Sequence, residues 1–499
     1  MQFNSIDFMC FFPVVLAVYF IVPRKMRDLW LLVSSYYFYM SWNPKYAVLI
    51  AVSTLITYVS AAWIDNRSMS DKNPIVSKKA IMIICLTCNL FILGIFKYGN
   101  FFLESVNAVL KSMGIGVINR HFDLLLPVGI SFYTFQALGY IIDVYRGDIK
   151  AETNLLRYAL FVSFFPQLVA GPIERSKNLL RQIDNTRKMN LWESGRITSG
   201  AILMVWGFFM KMVIADRIAI VVDTVFNNYR MYGSTELCLA AVAFSIQIYC
   251  DFGSYSVIAI GAAKIMGFTL MENFNTPYFA LNIKDFWRRW HISLSSWFRD
   301  YLYIPLGGSR KNKFRRVFNK LFVFMVSGLW HGADWSYVAW GSIHGFYQVC
   351  SDTMNIYKTK LIYRCKIKTN CFSWKLLQIV VTYIMVDFAW IFFRSDSITD
   401  ALRFVFRIFT RPTPWIFFNG GIFNLGLDRV EMNILMFSLL MLFVVDMIRY
   451  QKQLTLDAFL VEQNLWFRWS VVIGLVIMIF IFGEYGPTFD AQQFIYFQF

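Results

Sequence analysis

Three titratable side chains, His331, Asp334 and His344, lie in the stretch 321–349, LFVFMVSGLWHGADWSYVAWGSIHGFYQV, which holds no Lys or Arg. About 20 mostly apolar residues cross a bilayer, so the stretch is long enough to do so. An ionisable group in such a span is costly unless it faces a protein interior or a water-filled cavity, and its default reading is functional. His331 is the sharpest case. It stands in Gly328-Leu329-Trp330-His331-Gly332-Ala333-Asp334-Trp335, where the glycines let another chain or a substrate approach the backbone. An apolar setting favours neutral imidazole, which accepts a proton from a hydroxyl as a general base does. On an unbroken helix the thirteen residues to His344, at ~100° each, put the two imidazoles on nearly opposite faces. They share one small site only if the helix breaks, and Gly332 is the place for it. The competing reading of either histidine is a hydrogen-bonded packing residue.

A second constellation occupies 282–309, NIKDFWRRWHISLSSWFRDYLYIPLGGS. Trp287, Trp290, Leu294, Trp297 and Tyr301 recur at spacings of three and four, one helical stripe rich in residues that favour the membrane–water boundary. Arg288, His291, Ser295 and Arg299 recur on a different face. The spacing predicts a single amphipathic helix in or just below the cytoplasmic interface, stopped near Pro305-Leu306-Gly307-Gly308. Its arginines suit lipid head groups as well as a ligand. At His291 the neighbouring positive charge favours the neutral form, able to take a proton. Asp251, in the run QIYCDFG at 247–253, either orients a catalytic group or pairs with Arg288 or Arg289, and pairing is the preferred reading. Asp143, Asp387 and Asp446, at the ends of or within apolar runs, read as structural.

Several chemistries are excluded by pattern. There is no G-x-x-x-x-G-K-[ST] phosphate loop, no H-E-x-x-H zinc helix and no G-x-S-x-G nucleophile elbow. No histidine is followed five positions later by aspartate, the spacing of soluble-site glycerolipid acyltransferases. Eight cysteines are scattered. Cys85 and Cys88 form a CxxC inside an apolar run without histidine or basic residues nearby, which suits packing better than redox or zinc chemistry. Cys365 and Cys371 flank a Lys-rich loop and lack partner ligands, so no metal is assigned.

The elements that must position these residues are membrane helices. Of the 499 residues 57% are hydrophobic and 16% charged, against ~45–50% and ~25% in soluble domains. No Pro/Gly/Ser-rich linker divides the chain, which reads as one polytopic domain, 1–499. The net charge of +17 gathers in short loops between apolar runs, the mark of cytoplasmic loops facing anionic lipid, and not of a nucleic-acid patch. Apolar runs fall at 8–22, 30–42, 46–63, 80–96, 124–142, 158–170, 198–214, 237–249, 256–263, 321–349, 376–393, 434–445 and 471–483. Some are short for a crossing and suit tilted, broken or re-entrant segments, so roughly ten to twelve crossings are expected. The first run lacks a basic flank and a small-residue cleavage site, and reads as a span, not a signal. Arg24, Lys25 and Arg27 after it put the amino terminus outside. The basic loops 174–196 and 358–375 then face the cytoplasm, and the tail after Gly483, with Glu484 and Asp490, faces outward.

The run Phe286-Trp287-Arg288-Arg289-Trp290-His291-Ile292-Ser293-Leu294-Ser295, continuing through Tyr301-Leu302-Tyr303-Ile304-Pro305-Leu306-Gly307-Gly308, resembles the membrane-bound O-acyltransferase family, as does Gly328-Leu329-Trp330-His331-Gly332-Ala333. More narrowly, it is similar to the bacterial branch that O-acetylates alginate. Further matches are Leu126-Pro127-Val128-Gly129-Ile130-Ser131-Phe132-Tyr133-Thr134-Phe135-Gln136, Phe165-Pro166-Gln167 with Ala170-Gly171-Pro172-Ile173, and the ending Phe494-Ile495-Tyr496-Phe497-Gln498-Phe499. The resemblance implies an all-α polytopic protein of a bacterial cytoplasmic (inner) membrane, its tilted, re-entrant and interfacial helices ringed about a central funnel. It implies His331 as catalytic and His291 as the second important polar residue. Trp330, Arg288, Arg289, Arg299, Asp251 and Asp334 become candidate substrate and donor contacts. One departure stands out: after Asp251-Phe252 the branch reads Ser-Gly-Tyr-Ser-Asp, whereas this chain reads Gly253-Ser254-Tyr255-Ser256-Val257 and lacks the final carboxylate.

The expected reaction is acyl transfer, foremost acetyl, from a cytoplasmic thioester to a hydroxyl of a cell-surface polysaccharide. The donor is acyl-CoA or an acyl-carrier protein, drawn by Arg288, Arg299 and the basic cluster 310–316, and no bound cofactor is needed. An extracellular or periplasmic SGNH-like acyltransferase is the expected partner. Trp330, Trp335 and Trp340 are expected to keep water from the thioester. D-alanyl transfer to teichoic acid is the near rival. A transporter or polysaccharide-export protein with a histidine proton relay is the rival of a different class, disfavoured by the lack of an internal repeat.

Overall fold

The structure, a computed structural model, describes residues 1–70, 77–118, 122 and 126–485. The ending motif 494–499 and Asp490 lie outside the described residues. Of the described residues 78% are helical and none is in a strand. Among the described residues seven helical stretches are long and apolar enough to cross a membrane: Pro44–Asn66, Lys78–Ser112, Ser194–Asn227, Ser234–Met266, Phe372–Arg394, Arg429–Lys452 and Leu465–Phe482. The remaining apolar runs fold as shorter helices or as helices with charged turns.

By its internal contacts the chain gathers into two compact units, 1–200 with 259–271 and 201–258 with 272–499. The first unit carries α1 (Ile6–Ile21), α2 (Arg27–Met40), α3 (Ala47–Ser70), α4 (Lys78–Leu93), α5 (Gly99–Ser112), α6 (Ile130–Arg146), α7 (Leu155–Ser163), the single turn α8 (Phe165–Leu168) and α9 (Ser176–Asp184). Its polar interior is fastened by side-chain amides. Gln136 and Gln167, from two of the sequence motifs, both donate to the Phe161 carbonyl, at 2.6 and 2.9 Å, and Gln167 also donates to Gln136 Oε1 at 3.0 Å. A buried carbonyl at the end of α7 is thereby matched, which removes a penalty of roughly 1–3 kcal/mol. The basic loop 174–196 is not open coil. It begins with α9 and is tied back to α2, where Arg27 donates to the carbonyls of Thr186 and Met189, both at 3.2 Å.

Both α10 (Ser194–Phe208) and α12 (Ser234–Met266) have residues in each unit. A π-helical turn, Phe209–Ala215, joins α10 to α11 (Asp216–Asn227). The second unit continues through α13 (Ile283–Arg289), α14 (Ile292–Phe298), α15 (Lys313–His331), α16 (Trp335–Arg364), α17 (Phe372–Arg394), α18 (Ile398–Thr410), α19 (Arg429–Lys452), α20 (Leu456–Val461) and α21 (Leu465–Phe482).

Two expectations change here. The stretch 282–309 is not one amphipathic helix: α13 ends at Arg289, α14 begins at Ile292, and Arg299–Tyr303 is a π-helical turn. Its aromatic stripe does not meet the membrane boundary, since Trp290, Leu294 and Trp297 are buried. Trp290 stacks on Phe286 and packs against Phe274 and Trp390, centroids 5.5, 4.9 and 5.0 Å away. The stretch 321–349 is likewise not one span. Helix α15 starts among charges, with Asn312 capping it through a 2.9 Å bond from Arg315 N, and stops at His331. Gly332 is extended (φ −154°, ψ 151°), and Asp334 then accepts from Ser336 N at 2.7 Å to open α16.

Candidate active site

Helices α15 and α16 approach backbone to backbone. A Cβ built on Gly328 lies 3.3 Å from Gly341 Cα, and one on Gly345 lies 3.3 Å from Leu321 Cα. Gly341 and Gly345 are one turn apart on α16, the small-residue spacing by which membrane helices pack closely. The close approach holds His331, in the last turn of α15, against α16. His331 is 3% exposed. Its ring centroid lies 5.0 Å from Trp330, 5.1 Å from Trp340 and 5.5 Å from Phe393, so α15, α16 and α17 each supply one aromatic wall.

His291 enters the same enclosure from the break between α13 and α14. Its ring centroid is 6.2 Å from that of His331, 5.9 Å from Trp330 and 4.6 Å from Phe252 on α12. Its backbone is left-handed, φ 42° and ψ 54°, a conformation that costs a non-glycine residue about 1–2 kcal/mol and persists where the surroundings over-determine it. The residue is fully buried, and neither ring nitrogen has a hydrogen-bond partner among the described residues. Burial without an acidic partner lowers its pKa to about 3, so this imidazole is neutral.

His344 lies three turns into α16. The chain does break at Gly332, the condition for the two imidazoles to meet, and Trp340 of α16 touches both rings, 5.1 Å from His331 and 5.1 Å from His344. His344 Nδ1 accepts from Trp287 Nε1 at 3.3 Å, leaving the proton on Nε2. The Trp340 indole N–H is buried with no partner among the described residues.

The other sequence candidates fall in four places. Trp330 walls the site. Asp334 serves as the capping residue of α16 described above. Arg288 and Arg299 are exposed, Arg299 pairing with Asp300 at 2.7 Å, while Arg289 pairs with Asp285 at 3.1 Å. Asp251 does not pair with either neighbouring arginine. It meets Lys211 at 2.5 Å, and Lys211 meets Asp216 at 2.7 Å, all three buried. Trp335 is 55% exposed and excludes no water from His331. Sequence reading missed Lys211, although a lone lysine in the apolar run 198–214 is the same signal that singled out His331. It also missed Asn273, in a loop with no periodicity to mark it. Among the described residues no three His, Cys, Asp or Glu side chains gather closely enough to hold a metal ion.

What the arrangement can do is proton transfer inside an aromatic enclosure: two buried imidazoles, one of them at a helix end, walled by Trp330, Trp340 and Phe393. Residues 149–393 match the model of the membrane-bound O-acyltransferase family, a range that contains both histidines. The chain is 37% identical over 415 residues to the probable alginate O-acetylase of Pseudomonas putida, covering 82% of this chain and 80% of that protein. It is 34% identical to the peptidoglycan O-acetyltransferase of Helicobacter pylori over 426 residues, 79% of this chain and 76% of that protein. The match to the teichoic acid D-alanyltransferase of Bacillus subtilis is more distant, 30% over 290 residues, 54% of this chain and 69% of that protein. The chain belongs to the membrane-bound O-acyltransferase family, multi-pass membrane enzymes that transfer an acyl group to a hydroxyl.

Proposed function

We propose that this protein moves an acyl group, foremost acetyl, from a cytoplasmic thioester to a cell-surface polysaccharide, with His331 as the general base. The observation that carries the reading is the pair of buried imidazoles 6.2 Å apart in an aromatic enclosure. One nitrogen of His331 takes the proton of the acceptor hydroxyl as its oxygen attacks the thioester carbonyl. The new C–O bond forms, the C–S bond breaks, and the imidazolium returns the proton to the leaving thiolate. His291, neutral and bordering the same enclosure, donates or accepts a hydrogen bond at the reacting carbonyl or hydroxyl. Trp330, Trp340 and Phe393 keep water from the thioester, and at 3% exposure of His331 they must part to admit the acyl group.

The donor is acyl-CoA or an acyl-carrier protein, whose negative charge suits the exposed Arg288, Arg299 and the basic segment 310–316. The first acceptor is either the polysaccharide hydroxyl or a residue of an SGNH-like partner on the outer face of a bacterial cytoplasmic membrane. The relatives named for O-acetylation cover more of this chain at higher identity than those named for D-alanylation, which favours acetyl. His331→Ala is expected to abolish ester-linked acetate on surface polysaccharide. Unchanged acetate at a normal protein level overturns the assignment.

A further inference from the structure

A residue at the first position before a helix ordinarily caps it with its own side chain, accepting from a backbone N–H two or three residues on. His291 occupies that position in α14, and its side chain makes no such bond. Its ring is committed instead to the enclosure around His331. The N–H groups at the start of α14 are served by a residue eighteen positions earlier. Ile292 N donates to the Asn273 carbonyl at 2.9 Å. Ser293 N and Ser293 Oγ both donate to Asn273 Oδ1, at 3.4 and 2.6 Å.

The other end of the Asn273 amide reaches α12, where Nδ2 donates to Ser256 Oγ at 2.9 Å. Ser256 lies one turn beyond Phe252, whose ring packs on His291. The amide has one orientation that works, because a swap of oxygen and nitrogen would set two donors against each other at Ser293 N. On the far side of the turn Asn275 N donates to the Arg289 carbonyl at 2.9 Å. The left-handed His291 is therefore clamped on both flanks by one short stretch of chain, and Asn273 is its buried anchor, 1% exposed.

We propose that Asn273 is the positioning residue of His291: it caps α14 in place of the histidine and ties that cap to α12, so that the imidazole remains free to face His331. The inference rests on the acyl-transfer reading above, and the experiment separates the two. Cells carrying each full-length variant are assayed for ester-linked acetate on surface polysaccharide, normalised to protein level. Asn273→Ala is expected to lower acetate about 10–100-fold, the usual result of displacing a reacting group by about 1 Å. Asn273→Asp, which keeps an oxygen for Ser293, is expected to recover part of that loss. Ser293→Ala is expected to give a smaller drop, and Asn273→Ala/Ser293→Ala one no deeper than Asn273→Ala alone. Where residual activity is measured in a His291→Ala background, adding Asn273→Ala should change nothing.

Wild-type acetate in Asn273→Ala, or a further fall of Asn273→Ala in the His291→Ala background, overturns the proposal, the second result marking general damage. If Asn273→Ala does not accumulate, Ser293→Ala and Ser256→Ala read the same tie, and wild-type acetate in both overturns it. His331→Ala separates the layers. Acetate lost there but kept in Asn273→Ala refutes the positioning role alone, whereas acetate kept in His331→Ala refutes the functional reading beneath it.

Discussion

Gly328→Ala tests whether the closeness of α15 and α16 sets the position of His331. A Cβ added at Gly328 would lie 2.2 Å from the Tyr337 carbonyl oxygen, 3.0 Å from its carbon and 3.3 Å from Gly341 Cα. Ordinary contact begins near 3.4 Å, so the shortfall is about 1 Å. The obstacle is backbone, so no side chain can rotate out of the way and the helices must separate. Overpacking of this kind costs about 1–3 kcal/mol, a tolerable loss for folding. His331 lies three residues along the helix that has to move, and a displacement near 1 Å at a reacting group costs about 100-fold in rate. The variant is therefore expected to accumulate and to melt a few degrees lower in detergent, yet to lose nearly all ester-linked acetate. Gly474→Ala is the control, because nothing lies within 4 Å of a Cβ there on α21. Wild-type acetate in Gly328→Ala would refute the reasoning, as would an equal loss in Gly474→Ala.

Two further predictions concern charge. Glu174, in the loop between α8 and α9, is buried, and burial pushes its carboxyl from 4.5 up to about 7. Because the folded value is the higher one, the stability it contributes is complete below pH ~4.5. That stability is lost as pH rises toward ~7, on the order of 3 kcal/mol in all, and is flat above. Melting temperature in detergent is expected to fall across that window in the wild type and to fall less in Glu174→Gln; equal slopes would rule this out. Lys211→Met leaves Asp216 and Asp251 buried without their cation, a loss of about 3–5 kcal/mol, whereas Asp251→Asn keeps the Lys211–Asp216 pair and should cost less. Thermal melts of the two variants in the reverse order would contradict the assignment of Lys211 as the shared partner.

The class of fold and the two histidines are readable from the amino-acid sequence because membranes punish polarity. A His or Asp in an apolar run stands out whatever surrounds it, and so His331 and Asp251 are visible from residue type and position alone, whereas His291 is marked by its place among the Trp and Arg residues of 282–309. Periodicity misleads where local geometry overrides it. Trp290 and Arg288 fit one helix by spacing, yet the chain breaks at His291, since a left-handed residue held by Asn273 leaves no mark on the spacing of its neighbours. Partnership is hidden as well. Asp251 has two arginines some forty residues ahead of it and a lysine forty residues behind, and only the folded helices show that Lys211 is the one it meets. Asp334 and Trp335 belong to the right motif for a local reason: the aspartate starts α16, and the tryptophan faces outward.

The difference between His331 and His344 follows from where each sits on its helix. Both are buried, and both touch Trp340 at the same 5.1 Å. His344 is inside α16, its Nδ1 already taken by Trp287, so it can gain a proton only by giving up that bond. His331 ends α15, where the negative end of the helix dipole lies. An imidazolium formed there is favoured by about 1 kcal/mol, up to ~2 when partly buried, and a base that must become positive at the moment of attack gains that amount in the transition state and not before it. The glycine that follows lets the chain turn away from the ring, which stays walled by Trp330, Trp340 and Phe393. Position on the helix, more than burial, therefore favours His331 over His344 as the base of the proposed mechanism.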